Sequence, residues 1–184
     1  LFPLLTLADS APETARRWRE THEAQILRDY AELLAYPNVS AESADMERLA
    51  RRLRDALTAA GAAGELLRAE GAPPAVAGRL EVPGATRTLG IYAHYDGQPV
   101  DPANWTHPPF EPTLYSASME AGGKPVSLPE AGVPVDPEWR LYARSAGDDK
   151  APIAALLTVL EAFAADDVTP TSNLVLLLDG EEEV

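Results

Sequence analysis

Cysteine is absent from the 184-residue chain, which excludes disulfides, thiolate nucleophiles and Cys-ligated zinc. Any metal must therefore be held by His, Asp or Glu, and histidine is scarce: His22, His94 and His107 are the whole supply. Positive charge is short as well. The 15 Lys and Arg stand against 29 Asp and Glu, for a formal net charge of -14. Such a chain repels phosphate backbones, so no nucleic-acid partner is expected. No apolar run reaches the length of a membrane span, and none is expected. What remains is an ordinary globular composition, 46% apolar and 24% charged, long enough for one domain with a core and too short for two.

The ends carry their own signals. Leu1 to Leu7 is apolar and is followed by small residues at Ala8 and Ser10, as around a signal-peptide cleavage point. Residues 1–10 are read as either a signal-peptide remnant or an N-terminal arm, and the compartment stays open between cytoplasmic and periplasmic or secreted. The chain halts at Glu181-Glu182-Glu183-Val184, directly after an apolar run. Both ends are read as truncations, with residues 11–184 as part of a single domain.

Periodicity predicts the elements. Ser10-Ala11-Pro12-Glu13 fits a helix start, and Trp18, Ile26, Leu27, Tyr30, Leu33 and Leu34 recur at helical spacing until Tyr36-Pro37-Asn38 breaks it. A second helix is expected from about Ala41 to Ala60, with Met46, Leu49, Leu53 and Leu57 on one stripe and Gly61 as its stop. Strands are expected at Glu65 to Ala69, Ala75 to Val82 and Arg87 to Ala93. Asp101 to Glu138 is rich in Pro and shows little period, a length without regular structure that is more often functional than idle. Trp139 to Tyr142 reads as a strand, Ile153 to Phe163 as a buried helix, and Leu174 to Leu178 as a strand covered on both faces. The alternation predicts an α/β domain of three layers, a mostly parallel sheet with helices on both faces.

Three ionisable clusters sit where apolar elements meet loops: His94-Tyr95-Asp96, Asp148-Asp149-Lys150 and Glu181-Glu182-Glu183. The first and third directly follow strands, the place where open α/β sheets bind ligands. Carboxylates gathered at one rim repel unless a cation sits among them, and His with Asp and Glu is a set suited to zinc. In an extended His-x-Asp the two side chains point the same way, so Asp96 can hold the second ring nitrogen of His94. Of two adjacent Glu residues, one can bind metal while its neighbour takes a proton. Each cluster alone also has a plain reading: chance for His-x-Asp, a helix cap and dipole pair for Asp148-Asp149, and a solvated face for the Glu run. His22 reads as a surface residue and His107 as a structural loop residue. Trp105 and Tyr95 read as wall residues, and Lys150 as a charge partner of the carboxylates.

The ordered set Tyr92-Ala93-His94-Tyr95-Asp96-Gly97-Gln98-Pro99, Trp105 with Pro109-Phe110, Ala143-Arg144-Ser145-Ala146-Gly147-Asp148-Asp149-Lys150 and Gly180-Glu181-Glu182-Glu183 resembles the di-zinc peptidase family. That family includes carnosinase-type dipeptidases, glutamate carboxypeptidase and succinyl-diaminopimelate desuccinylase. The resemblance runs from about Ile26 to the end. It implies a zinc-peptidase-like fold truncated at the C-terminus, two zinc ions, and hydrolysis of amide bonds in dipeptides, short peptides or N-acyl amino acids by an activated water. It implies His94 as ligand of one zinc, Asp148 as bridge, Glu183 as ligand of the other, Glu182 as general base and Asp96 as the partner orienting His94, with a cis bond between Asp148 and Asp149. Glu181 and Glu182 stand as the alternative working pair. Ala143-Arg144-Ser145 departs from the family's Gly-Arg-Gly, Ala151 replaces a Gly, and the loop from Asp96 to Asp148 is longer than usual. The resemblance places the remaining ligands and a lid or dimerisation domain, with a homodimer through it, beyond Val184. The chain alone is therefore expected to turn over little. Two alternatives stay open: an acidic module binding calcium, which gives no role to His94, and a catalytically dead homologue.

Overall fold

The computed structural model describes residues 11–184; the helix cap expected at Ser10 and the arm of residues 1–10 lie outside the described residues. Helix α1 (Ala11–Leu34) and helix α2 (Ser43–Ala59) form where the apolar stripes foretell them. In α2 the stripe Met46, Leu49, Leu53 and Leu57 is no more than 1% exposed, while Arg48 and Arg51 pair with Asp45 and Glu47 on the wet side. Gly61 ends this helix as expected, at φ +88°, a conformation costly for any residue with a Cβ. That turn lets Ala62 N donate to Leu57 O at 2.9 Å.

Strands β1 (Ala63–Leu67), β2 (Ala75–Leu80), β3 (Thr88–His94) and β7 (Asn173–Asp179) make one sheet in the order β1-β2-β7-β3. The layering of sheet and helices is the expected α/β arrangement, but the strand directions are mixed. Only β3 with β7 is parallel; β1 with β2 and β2 with β7 are antiparallel. The register aligns Val76, Gly78 and Leu80 of β2 with Leu178, Leu176 and Leu174 of β7. It also aligns Leu89, Ile91 and Ala93 of β3 with the same three leucines. Apart from Leu89, which is exposed at the start of β3, these residues point toward one core, shared with Leu49, Leu53 and Leu57 of α2 and with Ile153 and Leu160 of helix α3 (Lys150–Ala165).

The helices cover that side only. Leu174, Leu176 and Leu178 are 8%, 0% and 0% exposed, whereas Leu177, on the other face, is 37% exposed and its β3 neighbour Tyr92 is 56%. Among the described residues, then, helices occupy one face of the sheet instead of two, and the apolar run of β7 is covered on one side. α1 packs on α3, and α2 packs on β1 and β2. The apolar period of β7 predicted a strand but could not specify what covers it, because a continuous Leu run has no polar face to betray the open side.

The irregular stretch contains more structure than its pattern shows. Within it, strands β4 (Thr113–Tyr115) and β5 (Pro125–Val126) join β6 (Arg140–Tyr142), the strand expected at Trp139 to Tyr142, in a small antiparallel sheet of order β5-β4-β6. Two or three residues are too few to display a period of 2. Tyr115 is buried there, edge-on to Tyr142 with ring centroids 5.3 Å apart.

Candidate active site

The site forms at the carboxyl end of the one parallel pair. Register sets His94, the last residue of β3, opposite Asp179, the last of β7, so the segments that follow both strands leave the sheet side by side. Tyr95 N donates to Asp179 O at 2.7 Å and continues the pairing by one step. Asp148 and Asp149 arrive from below, at the start of α3.

His94 is 7% exposed and both ring nitrogens are engaged. Nδ1 lies 3.2 Å from Asp96 Oδ1 and Nε2 lies 2.9 Å from Asp148 Oδ1, with Glu182 Oε2 at 3.8 Å from the same Nε2. Burial pushes the imidazole pKa down, but hydrogen bonds to Asp148 and Asp96 outweigh it and leave the pKa above its ordinary value. Asp96 is fully buried, and its second oxygen accepts from Ser40 Oγ at 2.9 Å and from Glu183 N at 3.0 Å. Asp148, by contrast, keeps its side chain 80% exposed. The pair is thus anchored from behind and open in front.

Asp148 and Asp149 are joined by a cis peptide bond, as the resemblance implies. Asp149 stands at the N-terminus of α3 but makes no side-chain cap there; its Oδ2 instead accepts from His94 N at 3.2 Å. His94, Asp148 and Asp149 each offer a ligand atom within 4.8 Å of the others, a group able to hold a metal ion. Asp149 is the member that sequence reasoning left out. Its adjacency to Asp148 read as helix capping, and only the fold shows that it caps nothing.

The Glu run divides. Glu182 faces His94, while Glu183 is tied in from the other side: Gln98 Nε2 donates to its Oε2 at 3.1 Å, and Arg144 Nη2 stands 4.0 Å from its Oε1. The backbone of Glu183 therefore sits at the site while its carboxylate turns toward Gln98 and Arg144. Glu181 N donates to Asp179 Oδ1 at 3.1 Å, closing the turn after β7.

Lys150 differs from its expected role as a partner of the carboxylates. It is fully buried and donates to Leu33 O at 3.2 Å and Tyr36 O at 2.6 Å. Leu33 lies in the last turn of α1 and Tyr36 just past it, the end of a helix where an ammonium is a favourable partner for carbonyls. Burial pushes the Lys150 pKa down to about 7. His22, His107 and the Tyr95 side chain lie in packed or hydrogen-bonded positions away from the cluster. His22 stacks on Trp18 with ring centroids 3.7 Å apart, and His107 Nε2 lies 2.6 Å from Tyr115 Oη. Tyr95 is a core residue, fully buried, with its hydroxyl donating to Pro74 O.

Comparison with known proteins gives this geometry a lineage. The chain is similar to succinyl-diaminopimelate desuccinylase of Delftia acidovorans, 31% identical over 159 residues, which are 83% of this chain and 34% of the relative. The Acidovorax ebreus desuccinylase is 33% identical over 100 residues, 54% of this chain and 20% of the relative. The chain thus spans about a third or less of the length of the curated relatives it matches. Among solved structures, an M20 family metallo-carboxypeptidase from Sulfolobus solfataricus superposes with a TM-score of 0.65 at 27% identity, covering 85% of this chain and 31% of that one. Human carnosine dipeptidase 1 shares the fold, with a TM-score of 0.69 at 20% identity over 94% of this chain and 35% of its own. The profile described as peptidase family M20/M25/M40 matches residues 90–184, a span that starts within β3 and takes in His94, Asp96, Asp148 and all three glutamates. By that match, over more than half its length, the chain belongs to peptidase family M20/M25/M40.

Proposed function

We propose that the full-length protein hydrolyses amide bonds in dipeptides, short peptides or N-acyl amino acids at a site holding two zinc ions. In this reading His94, Asp148 and Glu183 are metal ligands, Glu182 is the general base and Asp96 orients His94. Residues 11–184 are the N-terminal part of the catalytic domain. The supporting observation is the convergence of His94, Asp96, Asp148 and Glu182 from three separate segments onto one rim, with His94 Nε2 2.9 Å from Asp148 Oδ1.

The donor set fits a divalent cation. Nδ1 of His94 faces the buried carboxylate of Asp96, which fixes its proton there and leaves the Nε2 lone pair directed at Asp148. Asp148 and Asp149 bring negative charge to that lone pair without a Lys or Arg within salt-bridge distance of either among the described residues. A bound divalent cation supplies Lewis acidity, bringing the pKa of a water from 15.7 down to about 7 and polarising a carbonyl oxygen. Glu182, its side chain 47% exposed, takes the proton of the attacking water on a carboxylate oxygen and passes it to the amide nitrogen as that bond breaks. Asp96 holds the imidazole still throughout. The buried, fully partnered His94 also weighs against a calcium module, whose oxygen-rich sites have no use for an imidazole.

Metal analysis of the full-length protein, together with hydrolysis assays on a panel of dipeptides and N-acyl amino acids, tests this reading. About two zinc ions per chain and cleavage of at least one substrate are expected. Fewer than two metals together with no cleavage across the panel would remove it.

A further inference from the structure

The carboxylate that orients His94 is itself oriented from outside the region matched to the family. Asp96 is fully buried, and a terminal carboxylate rotates freely about its last bond unless both oxygens are occupied. Oδ1 meets His94 Nδ1 at 3.2 Å. On Oδ2, one donor is the backbone N of Glu183 at 3.0 Å, and the other is the hydroxyl of Ser40 at 2.9 Å, 56 residues earlier in the chain. Ser40 is the side-chain donor of the two.

Its position is secured by a strap that crosses between α1 and α2. Val39 pairs with Gly97 in an isolated parallel bridge. Gly97 N donates to Asn38 O at 2.8 Å. Asn38, buried, donates through Nδ2 to Tyr95 O at 2.7 Å and to Ser145 Oγ at 2.9 Å. One residue thereby ties the segment carrying His94 and Asp96 to the segment leading to Asp148. The fit is close. A Cβ on Gly97 would stand 2.6 Å from Ser145 Oγ and 3.3 Å from Asn38 Nδ2, so the backbone of residue 97 can approach only as glycine. Ser145 holds φ +61°, a left-handed conformation uncommon for Ser, and Asn38 bonds its hydroxyl there.

We propose that Ser40, held by the Asn38–Val39–Ser40 strap, is a positioning residue. Its hydroxyl fixes the Asp96 carboxylate, and Asp96 in turn fixes the tautomer and direction of the metal-facing nitrogen of His94. This rests on the proposed metal-binding role of His94. Without the hydroxyl, Oδ2 keeps one donor and the buried carboxylate is left underbonded, free to turn away from Nδ1.

The test is zinc titration with a competing chelator on the full-length protein and its Ser40→Ala, Ser40→Thr and His94→Ala variants. It is paired with the ¹⁵N shifts of His94 in metal-free protein at a pH where the ring is neutral. Expected for Ser40→Ala is a zinc affinity lower by about 10-fold or more and a His94 signal that shifts away from the Nδ1–H tautomer. Ser40→Thr, which keeps the hydroxyl, restores both. A Ser40→Ala protein with affinity within about twofold of the parent and an unchanged tautomer overturns the proposal. Unchanged zinc binding in His94→Ala overturns the metal reading instead. The ¹⁵N signature then decides the Ser40 proposal alone, since it is read without metal: a retained Nδ1–H tautomer in Ser40→Ala overturns it and a lost one supports it.

Discussion

At the scale of single residues, the site is a study in unequal burial. Asp96 and His94 are enclosed, while Asp148 and Glu182 present open carboxylates. Enclosure suits groups that must hold still, and exposure suits groups that exchange ligands and protons. Glu182→Gln in the full-length protein keeps the shape and removes the base. It is expected to lower kcat by about 10²- to 10⁴-fold while zinc content, measured by metal analysis, stays at the parental value. A loss of metal with the loss of rate would move Glu182 from base to ligand. Which glutamate does which task was the least legible point in the sequence. Three consecutive identical residues offer no asymmetry; the structure supplies one, with Glu182 3.8 Å from His94 Nε2 and the Glu183 carboxylate held by Gln98 and Arg144, which it must leave to serve in the proposed ligand role. Lys150 illustrates the same limit. Beside two aspartates it reads as their partner, yet the helix turns it toward the carbonyls of Leu33 and Tyr36.

At the scale of elements, α2 is the most predictable part of the chain, since its stripe of Met46, Leu49, Leu53 and Leu57 is the stripe that is buried. Its polar side does a second task that spacing does not show. Glu47 accepts from Arg51 on its own helix at 2.7 Å and from Arg68, just past β1, at 2.7 and 2.8 Å. Arg68 and then Arg51 hold the Glu47 carboxyl down at about 2, against an ordinary 4.5. A depressed carboxyl pKa adds stability that is complete above the ordinary value and is lost as pH falls through the folded one. Glu47→Gln is therefore expected to lower Tm at pH 7, by an amount on the order of 2 °C given the exposure of the pair. In thermal melts the gap from the parent closes between pH 4.5 and about 2. A gap that persists unchanged at pH 2 would assign the effect to packing.

At the scale of the whole molecule, three segments far apart in sequence meet at one rim, and a cation binding there links them. Ligand binding to the folded state alone stabilises it by about 2.7 kcal/mol at a concentration 100 times Kd. For a chain of this size that raises Tm by about 5 to 10 °C. Zinc is expected to produce such a rise in thermal melts, EDTA to reverse it, and His94→Ala to abolish it. The same scale shows what remains uncovered. Leu67, Tyr92 and Leu177 lie exposed on the helix-free face of the sheet, an apolar surface of the sort that marks a contact site or a liability.

Local patterning was enough for the helices, the strands of the main sheet and the Gly61 stop, because each of these depends on neighbours within a turn or two of the chain. Strand direction, the single covered face, the Asp149 contact with His94 and the Ser40 donor to Asp96 were beyond it. Those features depend on which segments come to lie side by side across 50 residues or more, and period 2 or 3.6 carries no address for a distant partner. The motif order pointed to a candidate metal site. The geometry of that candidate comes from the parallel pairing of β3 with β7, which delivers His94 and the glutamate turn to the same end of the sheet.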